Sequence, residues 1–392
     1  MAGIGPNVPP ELRWRTKDIA NCFPASARLP LMMARAADPA AGSGAHKALA
    51  RTLLELGRAD AAWEALAPAL TSPDPDTLLL AGNIHRQAGR IDSAIGCLRG
   101  VLESDSQSVA AIDGLARCLE RQKNHGEALA VLEQGLRRKP GHPELWASLT
   151  RIAVSARNAA FLERVLAELP LPHRYVACID DARNFLFEQA GDRAHLERRL
   201  RAPALVSKTR LLSEDDPLLA AVLEEVSRIQ DFVADPYDKT TAGGVQAAFA
   251  LAPDRPAWSA LFSRIARQIE HYLSALRAVD APFRLPSGEV GLRSWVVRLG
   301  NGGRQRHHLH PTGWITGVIY LKVPPEVANA EGGAGCLEMP FLPHNSFPDW
   351  PKTLYRPAAG GLLLFPSYLR HATIPFQSEH ERVCIAFDLL AL

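Results

Sequence analysis

Near Pro286-Ser287-Gly288 the hydrophobic period of this chain changes from about 3.6 residues to 2, and it does not change back. Before that point, Arg255-Pro256 opens a helix. Its apolar stripe runs Trp258, Leu261, Phe262, Ile265, Ile269, Tyr272, Leu273, Leu276, with Arg264, Arg267 and Glu270 on the outer face. After it, the residues from Glu289 to Leu299 alternate, and Asn301-Gly302-Gly303 reads as a turn. Short apolar strands follow at Ile315 to Val323, Gly335 to Met339, Leu362 to Phe365 and Val383 to Leu389. A helical block followed by a strand block excludes a regular α/β alternation and predicts a multidomain α + β chain. Strands this short, broken by glycine and proline turns, suit a barrel or jelly roll closed on one side by helix.

The length of 392 residues favours more than one domain. A formal charge of +2 gives no strong pull toward nucleic acid or an anionic membrane, and neither is expected as a partner. The sequence carries no run of about 18 apolar residues, so no membrane-spanning helix is expected. Met1 to Pro10 has no basic-then-apolar pattern, so no signal peptide is expected. Cys22, Cys97, Cys118, Cys178, Cys336 and Cys384 form no CxxC pair, which fits reduced thiols and a cytoplasmic location.

Residues 1–44 read as a lead-in broken by Pro24, Pro30 and Pro39. From 45 to 170 the chain is helical and repeats itself. Leu56-Gly57-Arg58 precedes Ala61-Ala62; Ala88-Gly89-Arg90 precedes Ser93-Ala94; Lys123-Asn124 precedes Glu127-Ala128. Ala62, Ala94 and Ala128 are 32 and 34 residues apart, and turns with proline or aspartate separate the units. This pattern resembles the tetratricopeptide repeat, clearest from Gly89 to Pro140, with a weaker fourth unit around Trp146 and Leu149. The resemblance implies stacked helix pairs whose concave surface holds a peptide or protein. Residues 171–206 read as a helical connector and cap whose charges (Arg193, Glu197, Arg198, Arg199, Arg201) form a solvated face without a ligand. A second domain spans 207–392. Asp216-Pro217 starts its first helix, and Lys239 to Gly244 reads as a loop.

Six of the thirteen histidines lie between His307 and His380. His308 and His310 are one residue apart, so on an extended segment both point to one side and His307 to the other. His371, after the strand Leu362 to Phe365, is the candidate third ligand. Three imidazoles on one face of a metal leave the opposite face open for chemistry. Arg382, expected on a strand beside the one ending near His371, offers a fork for a carboxylate. Thr316 or Tyr320 could add a hydroxyl to that carboxylate. His344 and His380 read as exposed loop residues, and Cys336 and Cys384 as buried small residues.

Taken in order, His308-Leu309-His310-Pro311, Thr316 to Leu321, Gly332-Gly333 with Leu337-Glu338, Gly361 to Ser367, His371 and Glu381-Arg382 resemble the iron(II)/2-oxoglutarate-dependent oxygenases found behind tetratricopeptide repeats in bacteria. The resemblance runs from about Pro217 to Leu392 and is strongest from His308 onward. It implies a double-stranded β-helix (jelly-roll, cupin-like) with supporting helices, using Fe(II), 2-oxoglutarate and O2. His308, His310 and His371 would hold the metal. Arg382 would meet the distal carboxylate, with Tyr320, Thr316 and Cys384 lining the co-substrate pocket. A C–H bond would be oxidised, typically by hydroxylation, with succinate and carbon dioxide as by-products.

The pattern departs from better-known members of that superfamily, which carry a carboxylate where this chain has His310. Asp349, Glu338 and Glu331 lack the spacing to replace it. Two other functions therefore stay open: a three-histidine dioxygenase that needs no 2-oxoglutarate, and a repeat scaffold with a vestigial metal site. The oligomeric state is not legible.

Overall fold

The structure is a computed structural model that describes residues 12–14, 25–235, 239–249, 255–279 and 281–392. Cys22, Pro24 and most of the lead-in before Ala25 lie outside the described residues. Helix α1 (Ala25–Ala36) runs through Pro30 instead of breaking there.

Five helix pairs follow: α2 (Ser43–Glu55) with α3 (Ala59–Leu66), α4 (Pro75–Gln87) with α5 (Ile91–Ser104), α6 (Val109–Arg121) with α7 (His125–Arg138), α8 (Pro143–Ser155) with α9 (Ala159–Glu168), and α10 (Ala177–Gln189) with α11 (Arg193–Arg201). Each pair turns on one residue in the left-handed region: Gly57, Gly89, Lys123, Arg157 and Gly191, with φ of 75°, 76°, 64°, 55° and 70°. Their spacings are 32, 34, 34 and 34, so the segment read as a connector is a fifth unit of the same geometry. In the last three units the next residue (Asn124, Asn158, Asp192) caps the second helix by accepting from the backbone N–H three positions on. Ala62, Ala94 and Ala128 are fully buried where paired helices approach. Ion pairs such as Arg151–Glu120 and Arg164–Glu133 join successive units.

The strand-rich part begins with β2 (Ser207–Arg210), α12 (Pro217–Ser227), β3 (Val233–Ala234), β4 (Thr241–Ala248) and α13 (Pro256–Ala278). Thr241 to Gly244, read as loop, is the start of β4. Then come β5 (Glu289–Gln305), β6 (Ile315–Lys322), a short α14 (Pro325–Ala328), β7 (Leu337–Phe341), β8 (Thr353–Tyr355), β9 (Gly361–Pro366), β10 (Arg370–Thr373) and β11 (Arg382–Ala391). The large sheet has the order β2-β9-β6-β11-β5-β4-β3, with a short parallel β1 (Arg13–Trp14) against β5. The small sheet is β10-β7-β8. Two facing antiparallel sheets backed by helices are the expected double-stranded β-helix.

Asn301-Gly302-Gly303 does not end β5. The pairing register shifts there against β4, and the strand continues to Gln305. A Cβ on Gly303 would stand 2.6 Å from the Gly243 carbonyl oxygen, so the close approach of β4 requires glycine. On β11, Val383, Ile385, Phe387 and Leu389 share a core cluster with the α13 stripe. Each such buried side chain contributes roughly 1.5–3 kcal/mol. The alternate residues Arg382, Cys384, Ala386 and Asp388 occupy the other face. A carboxylate from α12, Glu225, accepts from the backbone N–H of Ala257 and Trp258 at 2.7 and 2.9 Å and thereby holds the start of α13 against the sheet.

The repeat turns predict an asymmetry. Around Gly191 a Cβ meets open space, so Gly191→Ala should destabilise through backbone strain alone, by about 1 kcal/mol. At the equivalent turn, Lys123→Gly should be neutral or stabilising. Thermal and urea melts followed by far-ultraviolet circular dichroism will check both.

Candidate metal centre

The histidine segment between β5 and β6 is not a regular strand. His308 makes an isolated antiparallel bridge to His371: its N–H donates to the His371 carbonyl at 3.0 Å, and the return bond is 2.8 Å. His310 N–H donates to the Ser367 carbonyl at 3.0 Å. One ring nitrogen from each of His308, His310 and His371 lies within 4.8 Å of the others. His307 points elsewhere, its ring 4.3 Å from that of Phe341.

Each ring has its Nδ1 held. His308 Nδ1 lies 2.6 Å from the Arg306 carbonyl oxygen, His371 Nδ1 lies 2.8 Å from that of Leu369, and His310 Nδ1 meets the Asp388 carboxylate. All three partners are acceptors, so each Nδ1 carries hydrogen and Nε2 is the ring nitrogen left to meet a metal. Burial, then the neighbouring imidazoles, push His308 down to about 3 and hold His371 well below its ordinary value. Both are neutral near pH 7, as a metal ligand must be. The ring of Trp295 stands 5.5 Å from His310, and that of Phe365 stands 4.9 Å from His371.

Asp388 was not among the residues singled out from sequence. It is 1% exposed in the middle of β11. Burial raises its pKa, but His310 and Arg293 outweigh that and hold the carboxylate below its usual range. Oδ1 also accepts from Thr316 Oγ1 at 3.0 Å, and Oδ2 accepts from Arg293 at 2.9 Å. Ser367 Oγ lies 2.9 Å from Thr316 Oγ1 and completes the network. A carboxylate thus stands directly behind His310. The sequence signal was present: Asp388 is the one charged residue inside an apolar strand and shares a face with Arg382.

Arg382 is 2% exposed. Its strand does not lie beside the one ending near His371: β11 runs between β6 and β5, and Arg382 reaches β10 from across the sandwich. Nη1 donates to the Gly335 carbonyl at 2.7 Å and Nη2 to Thr373 Oγ1 at 3.3 Å. Among the described residues its Nε and the buried Tyr320 hydroxyl have no hydrogen-bond partner. The guanidinium lies 5.4 Å from the Tyr320 ring, and Cys384 is the register partner of Tyr320. Burial raises Tyr320 and Cys384 above their ordinary values, so both keep their protons. Thr316 does not join this group. It pairs with Asp388, six residues along β11 from Arg382, or roughly 20 Å.

The other candidates are accounted for. Asp349 pairs with Arg193 at 2.7 Å and Glu338 with Lys352 at 3.5 Å, while Glu331 is exposed. His344, expected in the open, is partly buried, with Nε2 2.6 Å from the Val154 carbonyl oxygen.

Residues 293–388 match the family model described as "Putative 2OG-Fe(II) oxygenase", and residues 85–152 match that of the tetratricopeptide repeat. No curated protein matches the chain. Similar solved structures include a Pseudomonas putida prolyl-4-hydroxylase, 19% identical over 48% of this chain and 93% of its own, with a TM-score of 0.35. A prolyl hydroxylase from Trichoplax adhaerens, in complex with a hypoxia inducible factor peptide fragment, is 17% identical over 53% and 90%, with a TM-score of 0.36. HygX from Streptomyces hygroscopicus, with nickel and 2-oxoglutarate bound, is 14% identical over 51% and 86%, with a TM-score of 0.31. The two sequence models carry the likeness: residues 85–152 match the tetratricopeptide repeat, and residues 293–388 match the 2OG-Fe(II) oxygenase model, whose family uses Fe(II), 2-oxoglutarate and O2.

Proposed function

We propose that this protein is a 2-oxoglutarate-dependent dioxygenase that hydroxylates a peptide or protein held by its helical repeats. The observation that carries the reading is a pair of unfilled requirements joined by β10, which carries His371 and touches Arg382. Three imidazoles present free Nε2 atoms, and a buried guanidinium and phenol beyond them have unpartnered polar atoms. An unpaired buried donor costs about 1–3 kcal/mol, which an anionic ligand would recover. Iron(II) fits the nitrogen donor set, held by His308, His310 and His371. Along β10, Thr373 is two residues from His371, about 7 Å, and it touches Arg382. That is the span of a five-carbon dicarboxylate with one end at the metal and the other at Arg382 and Tyr320. Cys384 lines the same pocket as a neutral thiol.

Bound iron would let O2 supply the oxidising power, one oxygen atom going to 2-oxoglutarate as it is oxidised to succinate and carbon dioxide and the other to the substrate C–H bond. The chain's own residues do the rest. Asp388 fixes the His310 tautomer and returns to the site the negative charge that the third imidazole removed. Trp295 and Phe365 wall the rings from water. The repeat units offer the surface that would hold a polypeptide. Among the described residues no helix is long and apolar enough to cross a membrane, and the five described cysteines are free, which supports a cytoplasmic location.

The all-histidine ligand set also supports a dioxygenase that needs no 2-oxoglutarate, and Arg382 separates the two. The protein, loaded with Fe(II) without oxygen and then exposed to it, should convert 2-oxoglutarate to succinate slowly even without substrate. His371→Ala should abolish this. Arg382→Ala should raise the KM for 2-oxoglutarate ten- to hundredfold, as loss of about 1.4–2.8 kcal/mol of charge-assisted bonding predicts. Oxygen consumption that is indifferent to 2-oxoglutarate and to Arg382→Ala would favour the other dioxygenase. Asp388→Asn should weaken metal binding roughly ten- to hundredfold, measured by competition with a chelating dye.

A further inference from the structure

Helix α10 belongs to two cores at once. Cys178, Ile179, Ala182 and Phe185 pack in the cluster of the preceding repeats, whereas Ala177 and the adjoining Tyr175 pack in the cluster of the β-domain. The helix also buries Asp180, Asp181, Asn184 and Glu188, each at most 5% exposed. Three carboxylates out of water on one helix would be strongly destabilising without partners. Asp180 is matched locally, by Arg199 at 2.7 Å and the Tyr175 hydroxyl at 2.8 Å. Arg199 Nε also donates to Asn184 at 2.7 Å.

The other contacts cross into the β-domain. Glu188 accepts from the backbone N–H of His344 at 3.1 Å and of Ser346 at 2.8 Å. Asp181 takes both prongs of Arg370, Nε and Nη2, each at 2.7 Å. The Cys178 N–H donates to the Pro311 carbonyl at 3.0 Å.

Pro311 follows His310, and Arg370 precedes His371. Two of the three imidazoles are therefore one residue away from a contact with α10. The third, His308, is bonded through its backbone to His371 in both directions. A bidentate, desolvated guanidinium–carboxylate pair fixes direction as well as distance. A shift of α10 moves both ligand segments together.

We infer that α10 is a positioning element of the metal centre, and that Asp181 sets the place of His371 through Arg370. The inference rests on the reading of the three histidines as metal ligands. It makes the helical repeats part of the site's scaffold. A polypeptide that alters the packing of α8 against α10 would then be felt at the ligands without passing through a linker.

Co(II) is the probe, because its visible bands report ligand geometry. In Asp181→Asn, Co(II) affinity should fall about ten- to hundredfold, the range for lost outer-sphere support, and the bands should shift. Asp181→Glu should recover part of the loss. Glu120→Gln, which cuts the Arg151 pair elsewhere in the solenoid, should leave affinity and bands unchanged. A second measurement needs no variant. Co(II) added to the wild-type protein should slow hydrogen exchange of the α10 amides more than that of the α4 and α5 amides. Wild-type affinity and bands in Asp181→Asn, or α10 exchange indifferent to Co(II), would overturn the inference while leaving the metal centre intact. Failure of Co(II) to bind the wild-type protein, or binding indifferent to His371→Ala, would instead overturn the metal centre and this inference with it.

Discussion

The hydrogen bond from His310 Nδ1 to the buried carboxylate of Asp388 is the constraint around which the β-domain is arranged. A carboxylate at 1% exposure needs several partners, and four elements supply them: His310 from the segment before β6, Thr316 from β6, Arg293 from β5, and Ser367 through Thr316 from the loop after β9. Gly313 belongs to the same arrangement, since a Cβ there would stand 2.5 Å from Ser367 Oγ and 3.3 Å from the Asp388 carboxyl carbon. The network fixes the register of β11 between β5 and β6, and the same register puts Arg382 and Cys384 on the site face.

Charge explains why the network takes this form. On the proposed reading, three imidazole ligands would give a metal no compensating charge. A carboxylate in hydrogen-bond contact behind one ring restores it without occupying a coordination position. Left alone, that carboxylate would be pushed toward protonation by burial. Arg293, 49% exposed on its side chain, offsets this from the solvent side. The Arg382 end, where the proposed function puts the co-substrate, is built the opposite way. There the guanidinium is buried, its Nε and the Tyr320 hydroxyl lack partners, and the energy of satisfying them is left for a ligand.

Much of this was legible in the sequence, for physical reasons that can be named. The repeats announced themselves through small residues, because Gly57, Gly89 and the buried alanines answer to backbone strain and close packing. The fourth and fifth units were harder to see because Arg157 sits at a left-handed turn that favours glycine, and because Gly191 follows a helix whose polar residues look solvent-facing. Buried Asp180, Asp181 and Glu188 cannot be told from exposed ones by period alone; apart from neighbours of Asp180 such as Tyr175, their partners are 19 to 189 residues away. The His308, His310 and His371 constellation was visible because ligand chemistry demands specific residue types. Thr316 was placed by its position on the strand after the histidine pair, yet strand geometry sends it to Asp388. Arg382 was expected on a strand beside the one ending near His371, but strand neighbours follow from sheet order, which spacing does not encode.

The junction between repeats and β-domain is where these threads meet. Tyr175 stacks on Trp314 at 5.2 Å with planes 8° apart, Tyr368 donates to the Arg199 carbonyl at 2.7 Å, and His344 reaches the end of α8. Gly57, in the first repeat turn, lies against Val233 of β3, where a Cβ would come within 3.2 Å of the valine methyl. The solenoid is thus seated on the β-domain near both of its ends, at β3 and at β10. A flexible tether would raise the local concentration of a bound segment and leave its orientation free. A solenoid seated at two places fixes orientation as well, so a polypeptide held along the repeats would meet the histidine cluster in a limited set of directions. Selectivity would then come from the register of the bound segment, and a small pocket around the oxidised atom would suffice.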